Sequence, residues 1–406
     1  MDCDFDQTID RRRFESAKWH RYGDDVLPLW VADMDFRSPA PVIEALRERV
    51  DHGVFGYGQI PHELRELIAD RMDRLYGWQV TPEDVLFLPG VVTGFNLVCH
   101  AVARAGEGVL LQTPVYYPML RAPAQARLAN DEIELTRRSD GQYEIDFDLM
   151  EATINQRTRV FILCNPHNPV GRVFRRGELE RMAEICLRRN VLICSDEIHG
   201  DLILGKHHHL PIASLAPEIA EQTVTLIAPS KTYNIAGLKC SVAIVQNPEL
   251  RQRLTRTCPD LVPGVNVLGY TAAVAAYRDG QAWLERLLHY LEENLDLLLG
   301  RVESDLPGIT MSRPEGTYLA WLDCRDAGIP GSPHEFFLDR ARVALNEGAT
   351  FGRGGEGFLR LNFACPRSTL AEALQRMSLA LSDLGDTTEA ENGLAERAEP
   401  GGIVTV

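Results

Sequence analysis

The sequence predicts an α/β protein, with a large domain on a mostly parallel seven-stranded sheet and a smaller α+β domain after it. Three observations predict it. Short apolar runs bounded by turn residues recur through the middle of the chain. Helical periodicity separates several of them, and from about Val267 the pattern changes to long helix and then a short mixed segment. At 406 residues the chain is also too long for one small core, so two domains are the natural expectation.

The runs are "DVLFLPG" at 84–90, "GVLLQTP" at 108–114, "DEIELT" at 131–136, "RVFILCNP" at 159–166, "VLICSDE" at 191–197, "TVTLIAPS" at 223–230 and "CSVAIVQN" at 240–247. Most lack polar alternation, the mark of strands buried on both faces. "GELERMAEICLRRN" repeats apolar residues at helical spacing and reads as a helix between two strands. "TAAVAAYRDGQAWLERLLHYLEENLDLLLGRVESDL" reads as one long helix. Strands follow at "TYLAWLDC" and "GFLRLNFA", with helices around "SPHEFFLDRARVALNEG" and "TLAEALQRMSLALSDL". Residues 1–54 lack a sheet of their own and are expected to pack on the small domain. The expected divisions are 55–275 for the large domain, 276–385 for the small one, and a disordered tail over 386–406, polar and acidic with a Pro-Gly-Gly break.

A net charge of −16 argues against nucleic-acid binding, since a polyanion is repelled and no basic patch offsets the field; "RRR" at 11–13 reads as a solvated face. No apolar run approaches the ~20 residues of a membrane-spanning helix. The nine cysteines show no CxxC spacing and read as core residues and free thiols of a reducing compartment. With no basic and apolar leader at the amino terminus, the expected location is the cytoplasm. "KHHHL" at 206–210 is not expected to bind a metal, because consecutive histidines on an extended loop point in different directions and no spacing completes a ligand set.

In such a sheet, ligands gather where strands hand over to loops at their carboxyl ends. The residues there are Gly90, Val91 and Val92; Tyr116 and Tyr117; Asn165, His167 and Asn168; Asp196 and His199; Ser230 and Lys231. They offer an amine nucleophile, a carboxylate, an amide donor, aromatic faces and a small-residue turn into a helix whose N–H groups can hold a phosphate. Pyridoxal phosphate would use each: a lysine for its aldehyde, a carboxylate for its ring N–H, an aromatic lid for its ring. Taken singly, Lys231 is a solvated loop lysine, Asp196 a helix N-cap, Asn168 a turn stabiliser, Arg360 a surface ion pair and either tyrosine a core aromatic. Their convergence favours a site.

"NPHNPVG", "SDEIHGD" and "SKTYNIAGLK", in that order and spacing, resemble the fold-type I aminotransferase superfamily of pyridoxal-phosphate enzymes over roughly residues 25–380. "LPLWVADMDF" at 27–36, with "HNPVGRVF", "SDEIHGDL" and "APSKTYNIAGL", is similar to the MalY/PatB branch of cystathionine or cysteine-S-conjugate β-lyases. The resemblance implies that Lys231 bonds the cofactor aldehyde and later moves the substrate Cα proton. It implies that Asp196 pairs with the ring nitrogen, that Asn168 donates to the ring hydroxyl oxygen, and that Tyr116 stacks on the ring at the catalytic centre. The phosphate would rest on the N–H groups of Val91 and Val92 with Ser230 and Lys239. Arg360, in "GFLRLNFACP", would hold the substrate carboxylate, its planar fork suiting two oxygens. Tyr57, in "FGYGQ", would reach the phosphate of a neighbouring subunit, so a homodimer with shared sites is expected.

Three positions depart from the superfamily pattern. A tyrosine is usual where His199 stands, which leaves the contact of that histidine open. Ala228 and Lys239 replace a serine and an arginine, and a lysine keeps the charge without the bidentate fork. The branch resemblance implies β-elimination of an L-cysteine S-conjugate such as L-cystathionine, giving homocysteine, pyruvate and ammonia. Residue chemistry alone leaves transamination open, because both outcomes use Lys231 as the proton carrier. A regulatory module that keeps the fold is a third reading, opposed by the intact lysine, aspartate and arginine set.

Overall fold

The computed structural model describes residues 4–257 and 262–396, with side chains to 384 at the carboxyl end. Seven strands form one sheet: β1 (Val85–Leu88), β2 (Gly108–Thr113), β3 (Ala129–Glu134), β4 (Thr158–Cys164), β5 (Leu192–Asp196), β6 (Thr223–Ile227) and β7 (Ser241–Ile244), in the order β1-β7-β6-β5-β4-β2-β3. The pairs β2/β3, β2/β4, β4/β5 and β5/β6 are parallel. β7 runs antiparallel to both its neighbours, β1 and β6. Each of the seven runs read from the sequence supplies one of these strands.

Successive residues of a strand point to opposite faces, and each face is covered by different helices. Of those described here, α1 is Ala40–Asp51, α2 His62–Tyr76, α3 Val91–Val102, α4 Tyr117–Gln125 and α5 Arg176–Arg189. Val109, Leu111, Val160 and Ile162 pack with Phe95 and Val98 of α3 and Met119 of α4, whereas Leu110, Phe161 and Leu163 pack with Leu179, Met182 and Cys186 of α5. Helices therefore lie on both faces.

The expected long helix is two, α6 (Val267–Asp279) and α7 (Gln281–Asp305). They part at Gly280, where a Cβ would lie 2.4 Å from the Ala276 carbonyl oxygen and 2.5 Å from the Tyr233 ring. The smaller sheet pairs β8 (Leu319–Asp323) with β9 (Phe358–Asn362), and Asn346–Glu347 joins β9 on its other side. The helix expected around 332–348 is correspondingly short. It spans Pro333–Phe336 and a wider turn at Phe337–Ala341, after which Val343–Ala344 pairs with Leu27–Pro28. Strand pairing across the chain overrides the local helical pattern there. The amino-terminal segment thus adds a strand beside the carboxyl-terminal part, while α1 packs on α6.

The last helix, α8 (Arg367–Glu396), runs into the stretch expected as a disordered tail; residues 397–406 lie outside the described residues. Among the described residues no helix is long and apolar enough to cross a membrane.

Candidate active site

The register aligns the strand ends. Cys164 of β4 sits beside Asp196 of β5, which sits beside Leu226 of β6. The loops carrying Asn168, His199 and Lys231 consequently open at one level. Because β7 returns antiparallel, the segment leaving β6 and the one entering β7 meet at that same edge, which brings Lys239 back to Lys231. The α3 amino terminus, following β1, opens there too. These pieces enclose a cavity of about 320 Å³ lined by Gly90, Val91, Val92, Tyr116, Asn168, Asp196, His199, Ser230, Lys231 and Lys239, together with Ala32, Thr93, Cys164 and Cys240. That size suits a small ligand.

The cavity lining includes a buried carboxylate. Asp196 accepts a 3.1 Å hydrogen bond from the Ile198 N–H, and burial pushes its carboxyl up to about 7. Burial also pushes the Lys231 amine down to about 8, against the raising pull of Asp33; the amine donates to the Ala32 carbonyl at 2.5 Å. The lining also includes the first turn of α3, whose leading N–H groups have no partner within the helix, together with Ser230 and Lys239.

Arg360 lies on β9 behind Asn168 and is not among the cavity-lining residues. Its Nη1 donates to Asn168 Oδ1 at 3.0 Å, its Nη2 to the Trp30 carbonyl at 2.9 Å and to Asn346 Oδ1, and its Cζ lies 5.0 Å from the Phe351 ring centre. All these contacts are neutral. Burial lowers the guanidinium to about 10. With Oδ1 of Asn168 engaged by Arg360, its Nδ2 is left to donate.

Of the two tyrosines, Tyr116 faces the cavity, and Tyr117 packs 5.1 Å from it and 6.2 Å from Phe351. His199 lines the cavity with its ring edge-on to Tyr318 at 5.9 Å and no hydrogen-bond partner on Nδ1 among the described residues. Burial holds its imidazole well below the usual range. His167 and Asn165 turn away into structural bonds, to the Pro114 carbonyl at 2.8 Å and from the Phe174 N–H at 3.1 Å. Tyr57 is fully exposed and lies outside the cavity. In "KHHHL", His209 is buried against Glu197 at 2.9 Å.

Sequence reading assigned no role to Ala32, Thr93 or Tyr318. Thr93 follows the valines on the same helical turn and could have been included on spacing. The Ala32 carbonyl, which takes both Lys231 and the Tyr318 hydroxyl at 3.0 Å, carries no residue-type signal.

The donor set fits pyridoxal phosphate. Asp196 is a buried carboxylate whose raised pKa a ring N–H⁺ would relieve, and the α3 turn with Lys239 offers a phosphate cradle. Residues 24–377 match the aminotransferase class I and II family. The chain is 39% identical to cystathionine beta-lyase PatB of Bacillus subtilis, over 93% of this chain and 100% of that one. Its structure is similar to that of cystalysin from Treponema denticola, which contains a pyridoxal 5'-phosphate cofactor, at a TM-score of 0.90 and 34% identity over 95% of this chain and 100% of that one. It is also similar to a pyridoxal-phosphate-bound C-S lyase from Staphylococcus hominis, at a TM-score of 0.88 and 32% identity over 94% and 99% of the two chains.

Proposed function

The chain belongs to the aminotransferase class I and II family, and from that premise we propose that it is a pyridoxal-phosphate-dependent carbon–sulfur β-lyase that cleaves L-cystathionine or a related L-cysteine S-conjugate. The observation that carries the reading is Arg360, a buried guanidinium with only neutral contacts, one bond from the asparagine that lines the cavity beside Lys231. A buried cation left without a counter-charge favours an anionic ligand, and an amino-acid carboxylate meets its fork.

When bound, pyridoxal phosphate supplies an aldehyde for the substrate nitrogen and a ring that accepts the electron pair left at Cα. The residues do the rest. Asp196 would hold the ring-nitrogen proton. Asn168 Nδ2 would donate to the ring oxygen, Tyr116 would cover the ring, and Val91, Val92, Ser230 and Lys239 would receive the phosphate. Arg360 fixes the α-carboxylate and with it the direction of the Cα–H bond. Burial lowers the Lys231 amine and so favours its neutral form, the form that can take that proton. The thiolate then leaves Cβ, and overall L-cystathionine and water give homocysteine, pyruvate and ammonia.

We also propose a homodimer. Val54, Phe55, Tyr57 and Ile60 are exposed on one segment, which supports a second copy covering it and Tyr57 reaching that copy's phosphate end. The cytoplasm is the compartment we propose, supported by the buried free thiols of Cys99, Cys164, Cys186, Cys194, Cys240, Cys324 and Cys365; Cys3 and Cys258 lie outside the described residues.

Incubation with L-cystathionine and no keto acid tests the activity. Release of thiol, pyruvate and ammonia together is the expected result. Turnover that requires a keto-acid acceptor and frees no thiol would make the protein an aminotransferase.

A further inference from the structure

Lys18 is a lysine with a fully buried side chain that is not among the cavity-lining residues. Its Nζ lies 2.7 Å from Asp35 Oδ2 and 3.6 Å from Asp33 Oδ1. Arg11 closes the cluster from the other side, 2.7 Å from Asp35 and 2.9 Å from Asp33, and the Trp19 indole donates to Asp35 at 2.9 Å. Burying the Lys18 and Asp35 charges, with Arg11 and Asp33 half-buried beside them, is costly, and such clusters favour a defined geometry more than they favour stability. The geometry they define here is that of residues 30–34.

The carbonyls of that stretch reach donors in and behind the site. Trp30 takes Arg360 at 2.9 Å, Val31 and Asp33 both take Asn362 Nδ2 at 2.6 Å, Ala32 takes Lys231 at 2.5 Å, and Met34 takes Asn234 Nδ2 at 3.0 Å. We propose that residues 30–35 form a positioning strap for Lys231, in which the Ala32 carbonyl holds the amine whenever it is not bonded to the cofactor and the Lys18, Asp35, Arg11 and Asp33 cluster fixes that carbonyl in place. Lys18, Asp35 and Arg11 are positioning residues, acting on the amine through Ala32. The strap rests on the reading of Lys231 as the proton carrier, and it sets where the amine stands when the Cα proton moves.

The charged groups around Lys231 are Asp33 on the strap, Arg360 on β9, Asp196 on β5 and Lys239 before β7, with His199 and the Tyr318 hydroxyl also facing it. Asp33 is thus both part of the cluster and a direct influence on the amine. The two sides of the cluster then have opposite effects.

The test is pH-dependent acetylation of Lys231 in the full chain without cofactor, followed by peptide mass analysis, for the wild type, Asp33→Asn, Lys18→Met and Lys18→Arg. For Asp33→Asn, which removes the negative neighbour, the labelling midpoint is expected to fall by about one pH unit. For Lys18→Met, which leaves the aspartates in excess and frees the strap, it is expected to rise, and Lys18→Arg is expected to restore it. A midpoint unchanged in either folded variant, or shifted the same way in both, overturns the proposal. If Lys18→Met yields no folded chain, Asp35→Asn, which touches the amine only through the strap, takes its place: a shifted midpoint is expected and an unchanged one overturns the proposal. The labelling needs neither cofactor nor turnover, so failure of the strap and failure of the lyase reading are separate results.

Discussion

Two buried groups of charge lie side by side in this molecule and are built on opposite terms. In the cluster around Lys18 and Asp35 each charge meets an opposite one at salt-bridge distance. In the cavity, Arg360 meets only neutral acceptors, Lys231 rests on a carbonyl and Asp196 on a backbone N–H. The ionisation behaviour divides the same way. Burial prevails at the site, pushing Lys231 and Arg360 down and Asp196 up. In the cluster, burial is outweighed by the ion pairs, so Arg11 is raised and Asp33 lowered. Paired charges hold a shape without help; unpaired ones mark the places where a ligand's charges complete the structure.

Substitutions can break this contrast. The largest effect is expected from Lys231→Ala, with a rate loss of roughly 10²–10⁴-fold or more when the proton carrier is removed, read by pyruvate release. Next is Lys18→Met, which leaves Asp35 short of a partner and is expected to cost about 3 kcal/mol in denaturant unfolding. For Arg360→Lys the Michaelis constant should rise about 30-fold, from the loss of about 2 kcal/mol of charged hydrogen bonding, with the cofactor still bound. An unchanged Michaelis constant would remove Arg360 from its assigned role.

The smallest effect sharpens the comparison by its sign. Asp196→Asn should stabilise the cofactor-free chain by about 1 kcal/mol, because it relieves a buried carboxylate, whereas Asp35→Asn should destabilise it. The pH dependence follows from the raised carboxyl. Between its ordinary value near 4 and about 7 the folded chain holds a proton that the unfolded chain has lost, so stability falls as pH rises through that window. The advantage of Asp196→Asn should therefore appear across that range and be complete above it, as thermal unfolding at a series of pH values would show.

Much of this was legible in the sequence. The seven strands announce themselves because burial on both faces leaves unbroken apolar runs, and chemistry gathers at their ends because the loops must open there. The reversed direction of β7 left no local mark, though it is what returns Lys239 to the cavity. The helix break at Gly280 depends on the approach of Tyr233 from another segment, and the strand at Val343–Ala344 depends on Leu27–Pro28. The strap was hidden for a different reason: its working atoms are backbone carbonyls, identical in every residue. The side chains of "LPLWVADMDF" carry no mark of what those carbonyls hold.

The central claim is that the two lysines of "SKTYNIAGLK" have separate work, Lys231 on the cofactor's aldehyde and Lys239 at its phosphate. Borohydride reduction of the cofactor-loaded protein, followed by digestion and peptide mass analysis, tests it directly. The expected result is the reduced cofactor on Lys231 alone, with none on the Lys231→Ala protein; its recovery on Lys239, or on Lys231→Ala protein at the wild-type level, would contradict the account.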